Sequence, residues 1–212
     1  MNRILETELL DHLDPADSGA VRSRRDLRFL DLFLGNSRWI IRALQRIQDR
    51  CSRFVELGAG EGRLCSCVHA VNPGSEITGL DLIERPRDLP PSIRWVSGDF
   101  LETLPGVEAE ACYGSLILHH LDAAALGHLG REFRRFSFLL FSEPYRGMVP
   151  LRLAGLSSPL FGEITRHDMP ASIRAGFRKG ELAALLSLDT ARWEIRETVT
   201  RRGTLRFAAI RI

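Results

Sequence analysis

The stretch that decides the fold is Phe-Val-Glu-Leu-Gly-Ala-Gly-Glu-Gly-Arg-Leu, residues 54–64. A short apolar run that carries one acid, Glu56, leads into three glycines spaced two apart. Leu64, Val68 and Val71 then recur at i, i+4 and i+7, which places them on one face of a predicted helix. A strand, a tight glycine turn and a helix N-terminus form a polar socket, because glycine lets a ligand approach the backbone closely and the first N–H groups of a helix lack partners.

The composition is that of an ordinary globular protein. The chain has 212 residues, of which 44% are apolar and 26% charged, which suits one sizeable α/β domain. A formal net charge of +2 is too small to favour nucleic acid or a membrane surface as a partner. No apolar run approaches the length of a transmembrane helix, and the N-terminus is too acidic for a signal peptide. We therefore expect a cytoplasmic protein.

The cysteines do not indicate metal or redox chemistry. Their spacings match neither a C-x-x-C motif nor a paired zinc site, and we expect plain thiols at Cys51, Cys65, Cys67 and Cys112. The sequence thus predicts no metal site.

Strand and helix patterns alternate from Arg53 onward, which predicts a parallel sheet covered on both faces. The predicted strands are Phe54–Leu57, Glu76–Asp81, Ile93–Val96, Ala111–Leu118 and Phe138–Ser142, and a helix is predicted from about Asp122 to Phe136. Two alternating stretches, Arg192–Thr200 and Thr204–Ile212, then predict a closing β-hairpin whose last strand is antiparallel to its neighbours.

The whole chain is predicted to be one domain in four parts. Residues 1–49 form a helical N-terminal flank or lid, which begins with an apolar stripe and contains two further helices separated at Gly35. Residues 50–146 form the cofactor-binding core, residues 147–178 a substrate-pocket insertion, and residues 179–212 the last helix and the hairpin. Asp14-Pro15 ends the first helix, whose stripe consists of Ile4, Leu5, Leu9, Leu10 and Leu13.

The residues around the glycines narrow the choice of ligand for the socket. Arg63 occupies the third small position of the dinucleotide fingerprint, and no Gly-Lys-Ser/Thr follows as a P-loop requires. Glu56 and Glu61 would repel a pyrophosphate, whereas they suit a ligand that carries an ammonium group and a sulfonium. S-adenosyl-L-methionine is such a ligand. An NAD-dependent oxidoreductase remains the alternative.

Two further acids follow the next predicted strands. Asp81 ends the second strand, where a carboxylate can accept both ribose hydroxyls. Asp99 follows the third strand and can accept a hydrogen bond from the adenine amino group, while Leu82 or Phe100 lies against the ring.

Together with Leu116–Leu121, these residues resemble class I S-adenosylmethionine-dependent methyltransferases, and in particular the small-molecule and quinone-type members described as methyltransferase domains 11, 12 and 25. The resemblance implies a Rossmann-like, seven-stranded, mostly parallel sheet with the order 3-2-1-4-5-7-6, an antiparallel last strand and helices on both faces. It also implies that Glu56 faces the amino group of the cofactor and that Leu118 and His119 line the methyl-transfer face. The implied cofactor-binding set is Glu56, Gly58, Ala59, Gly60, Gly62, Asp81, Leu82, Asp99, Phe100 and Leu118.

Methyl transfer from a sulfonium is an in-line displacement, which depends mainly on positioning and desolvation. A hydroxyl acceptor also needs a base or an environment that favours its anion. The candidates for this role are His119, His120, His167, Asp168 and Glu143.

The apolar segment within residues 147–178 has a few polar side chains and matches the wall of a small-molecule pocket, or a helix packed on the edge of the sheet. We therefore expect a methyltransferase enzyme, monomeric or homodimeric, that methylates a small, largely apolar acceptor at oxygen, such as a phenol, a quinol or a hydroxylated metabolite. The remaining alternative is a non-catalytic S-adenosylmethionine-binding protein.

Overall fold

A computed structural model describes residues 1–14 and 16–212 and contains one seven-stranded sheet. The strand order is β3-β2-β1-β4-β5-β7-β6 with strands numbered along the chain; β7 pairs antiparallel with both β5 and β6, and all other neighbouring strands pair in parallel. Both the predicted order and the predicted closing hairpin are therefore confirmed. The strands are β1 (Arg53–Leu57), β2 (Glu76–Asp81), β3 (Arg94–Ser97), β4 (Ala111–Ser115), β5 (Phe138–Pro144), β6 (Trp193–Val199) and β7 (Thr204–Arg211).

Helices cover both faces of the sheet and give the protein two apolar cores. One core packs β4, β5 and β7 against α5 and α8, and the other packs the opposite face against α2 and α3. The helices are α1 (Ser18–Leu34), α2 (Asn36–Gln45), α3 (Arg63–Val71), α4 (Phe100–Thr103), α5 (Ala123–Phe133), α6 (Met148–Ser157), α7 (Glu163–Ala175) and α8 (Glu181–Leu185). None of them, within the described ranges, combines the length and the apolar character that crossing a membrane needs.

The central position of β5 follows from its sequence. All seven of its residues are buried, since helices cover both of its faces and strands flank both of its edges. Phe141 lies opposite Phe207 of β7 and stacks on Phe133 of α5, with ring centroids 5.5 Å apart.

The predicted helix at the extreme N-terminus is wrong. Residues 1–8 have no regular secondary structure, and only Leu10–His12 form a single 3₁₀ turn. The backbone N–H groups of Leu9 and Leu10 donate to the Asp168 carboxylate at 2.8 and 3.0 Å, so tertiary partners replace the hydrogen bonds of a helix. The predicted stop at Asp14-Pro15 lies partly outside the described residues. The predicted break at Gly35 is confirmed, because Gly35 has a φ of +70° between α1 and α2.

The fourth strand is three residues shorter than predicted. It ends at Ser115, Leu116 takes a φ of +57°, and Leu118–His120 form a 3₁₀ turn. The chain leaves the sheet here because the N–H groups of Ile117 and Leu118 donate to the Glu143 carboxylate, at 3.1 and 2.9 Å, instead of to a neighbouring strand.

Two glycines of α5 provide a matched test of the packing between α5 and the chain that follows α8. A Cβ added to Gly130 would lie 1.9 Å from the carbonyl oxygen of Leu186, whereas one added to Gly127 has its nearest neighbour at 4.0 Å. We expect Gly130→Ala to destabilise the protein by about 1–3 kcal/mol or more through overpacking, and Gly127→Ala to stabilise it by about 0.5–1 kcal/mol through helix propensity. Urea denaturation of both variants measures this difference, and equal stabilities would contradict the packing described.

Candidate functional site

The glycine turn between β1 and α3 has a backbone that only glycine adopts readily. Gly58, Gly60 and Gly62 have φ values of +62°, +53° and +70°. A Cβ on Gly58 would lie 2.5 Å from the side chain of Ile117, and one on Gly62 would lie 2.5 Å from that of Leu89. No atom lies within 4 Å of the corresponding position on Gly60. The turn therefore packs tightly at both ends and leaves open space at its middle.

Glu56 brings a buried carboxyl group to this turn. The residue is 3% exposed, and the side chains of Cys65 and Tyr113 lie beside its carboxyl group. Its Oε2 atom is buried and has no hydrogen-bond partner among the described residues. Burial raises the pKa of Glu56 to about 8; the neighbouring Cys65 and Tyr113 lower it less than burial raises it, and the charge of Asp81 adds to the increase. A cationic donor beside Glu56 would supply the missing partner and favour the carboxylate.

Asp81 connects the end of β2 to the glycine turn. Its Oδ2 accepts from the Gly60 N–H at 2.6 Å, and its Oδ1 accepts from the Ile83 N–H at 3.2 Å. A carboxylate has about four acceptor positions, so two remain for a ligand. The acid predicted for the ribose thus also holds the middle of the turn in place.

The residues predicted for the adenine end have different environments. Asp99 is exposed and caps α4, since its Oδ1 accepts from the Leu101 N–H at 2.8 Å. Phe100 is buried in the core, whereas Leu82 is 76% exposed. Leu82 is therefore the side chain with a free apolar surface, and Asp99 retains a second carboxylate oxygen.

Glu61, the second acid of the turn, forms ion pairs with the N-terminal flank. Its two oxygens lie 3.4 Å from Arg24 Nε and from Arg28 Nη2 of α1. The turn is thereby linked to the N-terminal flank by ion pairs, and the two arginines are not simply a solvated helix face.

His119 is enclosed between two carboxylates. Its Nδ1 lies 2.8 Å from Glu143 Oε2, and its Nε2 lies 3.5 Å from Glu8 Oε1. Burial by itself would lower the pKa of His119, but the hydrogen bonds and charges of Glu143 and Glu8 raise it to about 9. Conversely, burial would raise the pKa of Glu8, and the contacts with His119, His120 and Ser172 bring it below its ordinary value.

Glu143 organises the turn after β4. Its carboxylate accepts from the backbone N–H groups of Ile117, Leu118 and His119, in addition to its contact with the His119 ring. Its side chain is completely buried, and its acceptor positions are filled from within the protein. The sequence indicated Glu143 as one candidate base, whereas the structure shows it as an anchor of the 3₁₀ turn.

The structure brings only some of the predicted catalytic residues together. His120 is adjacent to His119, with ring centroids 4.3 Å apart, and its Nδ1 lies 3.4 Å from Asp11 Oδ2. Asp168 is engaged with the backbone of the N-terminal segment, and its Oδ1 also lies 2.9 Å from Nδ1 of the half-exposed His167. Leu118 is fully buried in the core, so its side chain does not line an open face.

Two acids of this site, Glu8 and Asp11, were missed in the sequence. They belong to a segment that is predicted to be helical. They reach the histidines in a segment without an α-helix, since residues 1–8 have no regular secondary structure and Asp11 lies in the 3₁₀ turn Leu10–His12. No local pattern connects them with His119 and His120. The charge pattern of the N-terminus is the one sequence feature that indicates such contacts. Its acids have only Arg3 and His12 as basic neighbours in sequence, so basic partners from elsewhere in the chain are expected.

The acceptor groups at the glycine turn fit S-adenosylmethionine. The unpartnered Oε2 of Glu56 suits an ammonium group, the open space at Gly60 admits close approach of a ligand, and Asp81 has acceptor positions left for hydroxyls. A pyrophosphate would instead meet two carboxyl groups, Glu56 and Asp81, at the same place.

Comparison with solved structures identifies the fold. The chain aligns with human N-acetylserotonin methyltransferase (ASMT), solved in complex with SAM, over 94% of its own length and 60% of that chain, at 18% identity and a TM-score of 0.60. It aligns with the plantazolicin methyltransferase BamL over 95% of its length and 92% of that chain, at 9% identity and a TM-score of 0.74. The methyltransferase domain of bacterial CtHen1 matches 82% of the chain, and 95% of that domain is covered, at 18% identity and a TM-score of 0.60.

At these identities the likeness establishes the fold, which is that of class I S-adenosylmethionine-dependent methyltransferases. The chain spans 60% of the length of the human enzyme. No protein-family model matches the sequence, and neither does any curated protein.

The raised pKa of Glu56 predicts a pH dependence of stability. The folded protein holds this proton up to about pH 8, whereas the unfolded chain releases it near pH 4.5. Because the folded state binds more protons in this window, the free energy of unfolding falls as the pH rises through it, by at most about 1.4 kcal/mol per pH unit. Urea denaturation from about pH 5 to pH 8 should show a shallower decline for Glu56→Gln than for the wild type. Parallel curves for the two proteins would contradict the assignment.

Proposed function

We propose that this protein is an S-adenosylmethionine-dependent methyltransferase that transfers the methyl group to an oxygen of a small, largely apolar acceptor. The observation that carries this proposal is the buried Oε2 of Glu56, which lacks a partner beside a three-glycine turn in a class I methyltransferase fold. A buried carboxyl oxygen without a partner is costly for folding, and a ligand ammonium group would offset that cost.

The donor half of the reaction depends on residues at the ends of β1, β2 and β3. Glu56 holds the amino group, the turn from Gly58 to Gly62 surrounds the methionine part, and Asp81 accepts from the ribose hydroxyls. Leu82 covers the adenine face, and the free oxygen of Asp99 accepts from the adenine amino group. In this assignment Phe100 supports the adenine site from the core rather than contacting the ring, because it is buried.

The acceptor half lies at the turn after β4. When bound, the sulfonium cofactor supplies an electrophilic methyl group for in-line displacement, and the acceptor oxygen must lose its proton as the new bond forms. Of the histidines predicted for this site, His119 is buried with both ring nitrogens facing carboxylates, and His167 belongs to α7 instead of to the turn after β4. His120 is the remaining one, with 30% of its side chain exposed and Asp11 beside its Nδ1. We place His120 next to the acceptor oxygen.

Two observations support an apolar acceptor. Helix α6 exposes most of its apolar side chains instead of packing them on the sheet, with Met148, Val149 and Leu156 exposed by 58%, 64% and 80%. Two structural neighbours are named as methyltransferases of N-acetylserotonin and of plantazolicin, and BamL was solved with an analogue of desmethylplantazolicin. Such surfaces and such relatives fit an organic acceptor better than a polyanion.

Binding of S-adenosylhomocysteine tests the donor half. We expect calorimetry to show micromolar binding of S-adenosylhomocysteine and none of NADH. Glu56→Gln should weaken that binding by about 10- to 100-fold, since it removes a charged hydrogen-bond acceptor. Glu61→Gln is the matched control, because Glu61 faces arginines of α1, and it should change the affinity less than about threefold. Binding of NADH in place of S-adenosylhomocysteine would refute the proposal.

A panel of phenols and quinols with methyl-labelled cofactor tests the acceptor half. His120→Ala should reduce turnover of an accepted substrate by about 100-fold or more while leaving the affinity for S-adenosylhomocysteine unchanged. His128 is an exposed histidine of α5 that contacts Arg131, and the variant His128→Ala serves as the control. It should retain full activity. If His120→Ala turns over as fast as the control, His120 does not act on the acceptor.

A further inference from the structure

Three potential metal ligands converge where the N-terminal segment crosses the turn after β4. Glu8, His119 and His120 each offer one ligand atom, and these atoms all lie within 4.8 Å of one another. We propose that Glu8, His119 and His120 form a binding site for a divalent transition-metal ion such as Zn²⁺. The binding of the ion does not depend on the proposed methyl transfer, although its role there does.

The spacing between His119 and Glu8 fits ligands of one ion better than a hydrogen-bonded pair. His119 Nε2 and Glu8 Oε1 are 3.5 Å apart, which is longer than the range of about 2.7–3.2 Å for N–H···O hydrogen bonds. Two ligands at about 2.0–2.1 Å from a tetrahedral zinc ion lie about 3.4 Å from each other. The pair therefore already has the separation of two ligand positions.

Each of the three ligands has a further polar partner, which forms a hydrogen bond with His119 and with Glu8 and a longer ion pair with His120. Nδ1 of His119 lies 2.8 Å from Glu143, and Nδ1 of His120 lies 3.4 Å from Asp11. The Ser172 hydroxyl donates to Glu8 at 2.5 Å. Metal-ligating histidines generally donate their other ring nitrogen to a carboxylate or carbonyl, which sets the tautomer and raises the basicity of the ligand. In His119 this arrangement leaves Nε2 directed at Glu8.

The donor set and the charges favour a transition metal. Two imidazoles and one carboxylate suit Zn²⁺, Fe²⁺ or Mn²⁺, whereas Mg²⁺ and Ca²⁺ prefer oxygen ligands alone. Glu8, Glu143 and Asp11 surround the two rings with three carboxylates, so a divalent cation would meet complementary charge. Because 30% of the His120 side chain is exposed, an ion can reach the site from solvent at His120.

Three protein ligands leave one coordination position open, as in catalytic zinc sites. If the proposed function holds, that position would receive the acceptor oxygen next to His120, and the ion would lower the pKa of the hydroxyl. His120 would then act on the acceptor as a metal ligand instead of as a free base.

Titration of chelator-treated protein with Zn²⁺ and with Co²⁺ tests the site. We expect calorimetry to find one ion per chain with micromolar or tighter affinity, and Co²⁺ to give the visible absorption of a low-coordinate nitrogen–oxygen site. Glu8→Gln and His120→Ala should each weaken binding by at least tenfold, while His128→Ala leaves it unchanged. Asp11→Asn should weaken it less and retain one ion per chain, since Asp11 supports a ligand without being one. Circular dichroism establishes that each variant is folded.

The alternative is that His119 is simply a cation between Glu8 and Glu143. In that case neither ion binds, or all four variants bind it equally, and either result overturns the metal site. The Co²⁺ spectrum of the wild-type protein keeps the test decisive even if a variant fails to fold. S-adenosylhomocysteine binding on the same samples separates the two proposals, because it addresses Glu56 and Asp81 alone. Ion binding without S-adenosylhomocysteine binding would overturn the proposed function and leave the metal site standing.

Discussion

The structure of the site depends on the carboxylate of Glu143. It accepts hydrogen bonds from the N–H groups of three consecutive residues, from Ile117 to His119, and so holds the chain in a 3₁₀ turn beyond the carboxyl end of β4. Ile117 in turn packs against Gly58, whose missing Cβ leaves the 2.5 Å approach possible. The glycine turn on the donor side and the histidines on the acceptor side therefore share one wall. A shift of Glu143 would move both.

The N-terminal segment completes the site from the other side. Arg3 donates to the carbonyl oxygens of Ala175, His119 and Leu121, and its guanidinium lies over the Phe177 ring at 4.7 Å. Further along, Asp168 binds the backbone of Leu9 and Leu10. These contacts fix Glu8 and Asp11 opposite the histidines. The segment thus contributes side chains to the site as well as covering it.

Glu56 and His119 both hold their protons to unusually high pH, but for opposite physical reasons. Glu56 does so because it is buried without a cation, so its charged form is disfavoured. His119 does so in spite of burial, because two carboxylates stabilise its charged form. Glu56 consequently lacks a positively charged partner, whereas His119 has two negatively charged partners, Glu8 and Glu143. The unpartnered Oε2 of Glu56 therefore suits a ligand ammonium group, whereas the metal site proposed at Glu8, His119 and His120 rests on the separation of their ligand atoms.

The sequence by itself determined the features that depend on local patterns. The glycine spacing, the alternation of strands and helices, and the closing hairpin each arise from residues close together in the chain, and they were sufficient for the strand order once the family resemblance was recognised. Glu56, the glycines and Asp81 could be located for the same reason, since they follow successive strands. Only the tertiary structure decided the path of residues 1–13, the end of β4 at Ser115 and the meeting of Glu8 with His119. In each case a hydrogen bond or an ion pair between distant residues outweighed local propensity, and apolar periodicity carries no information about such pairs.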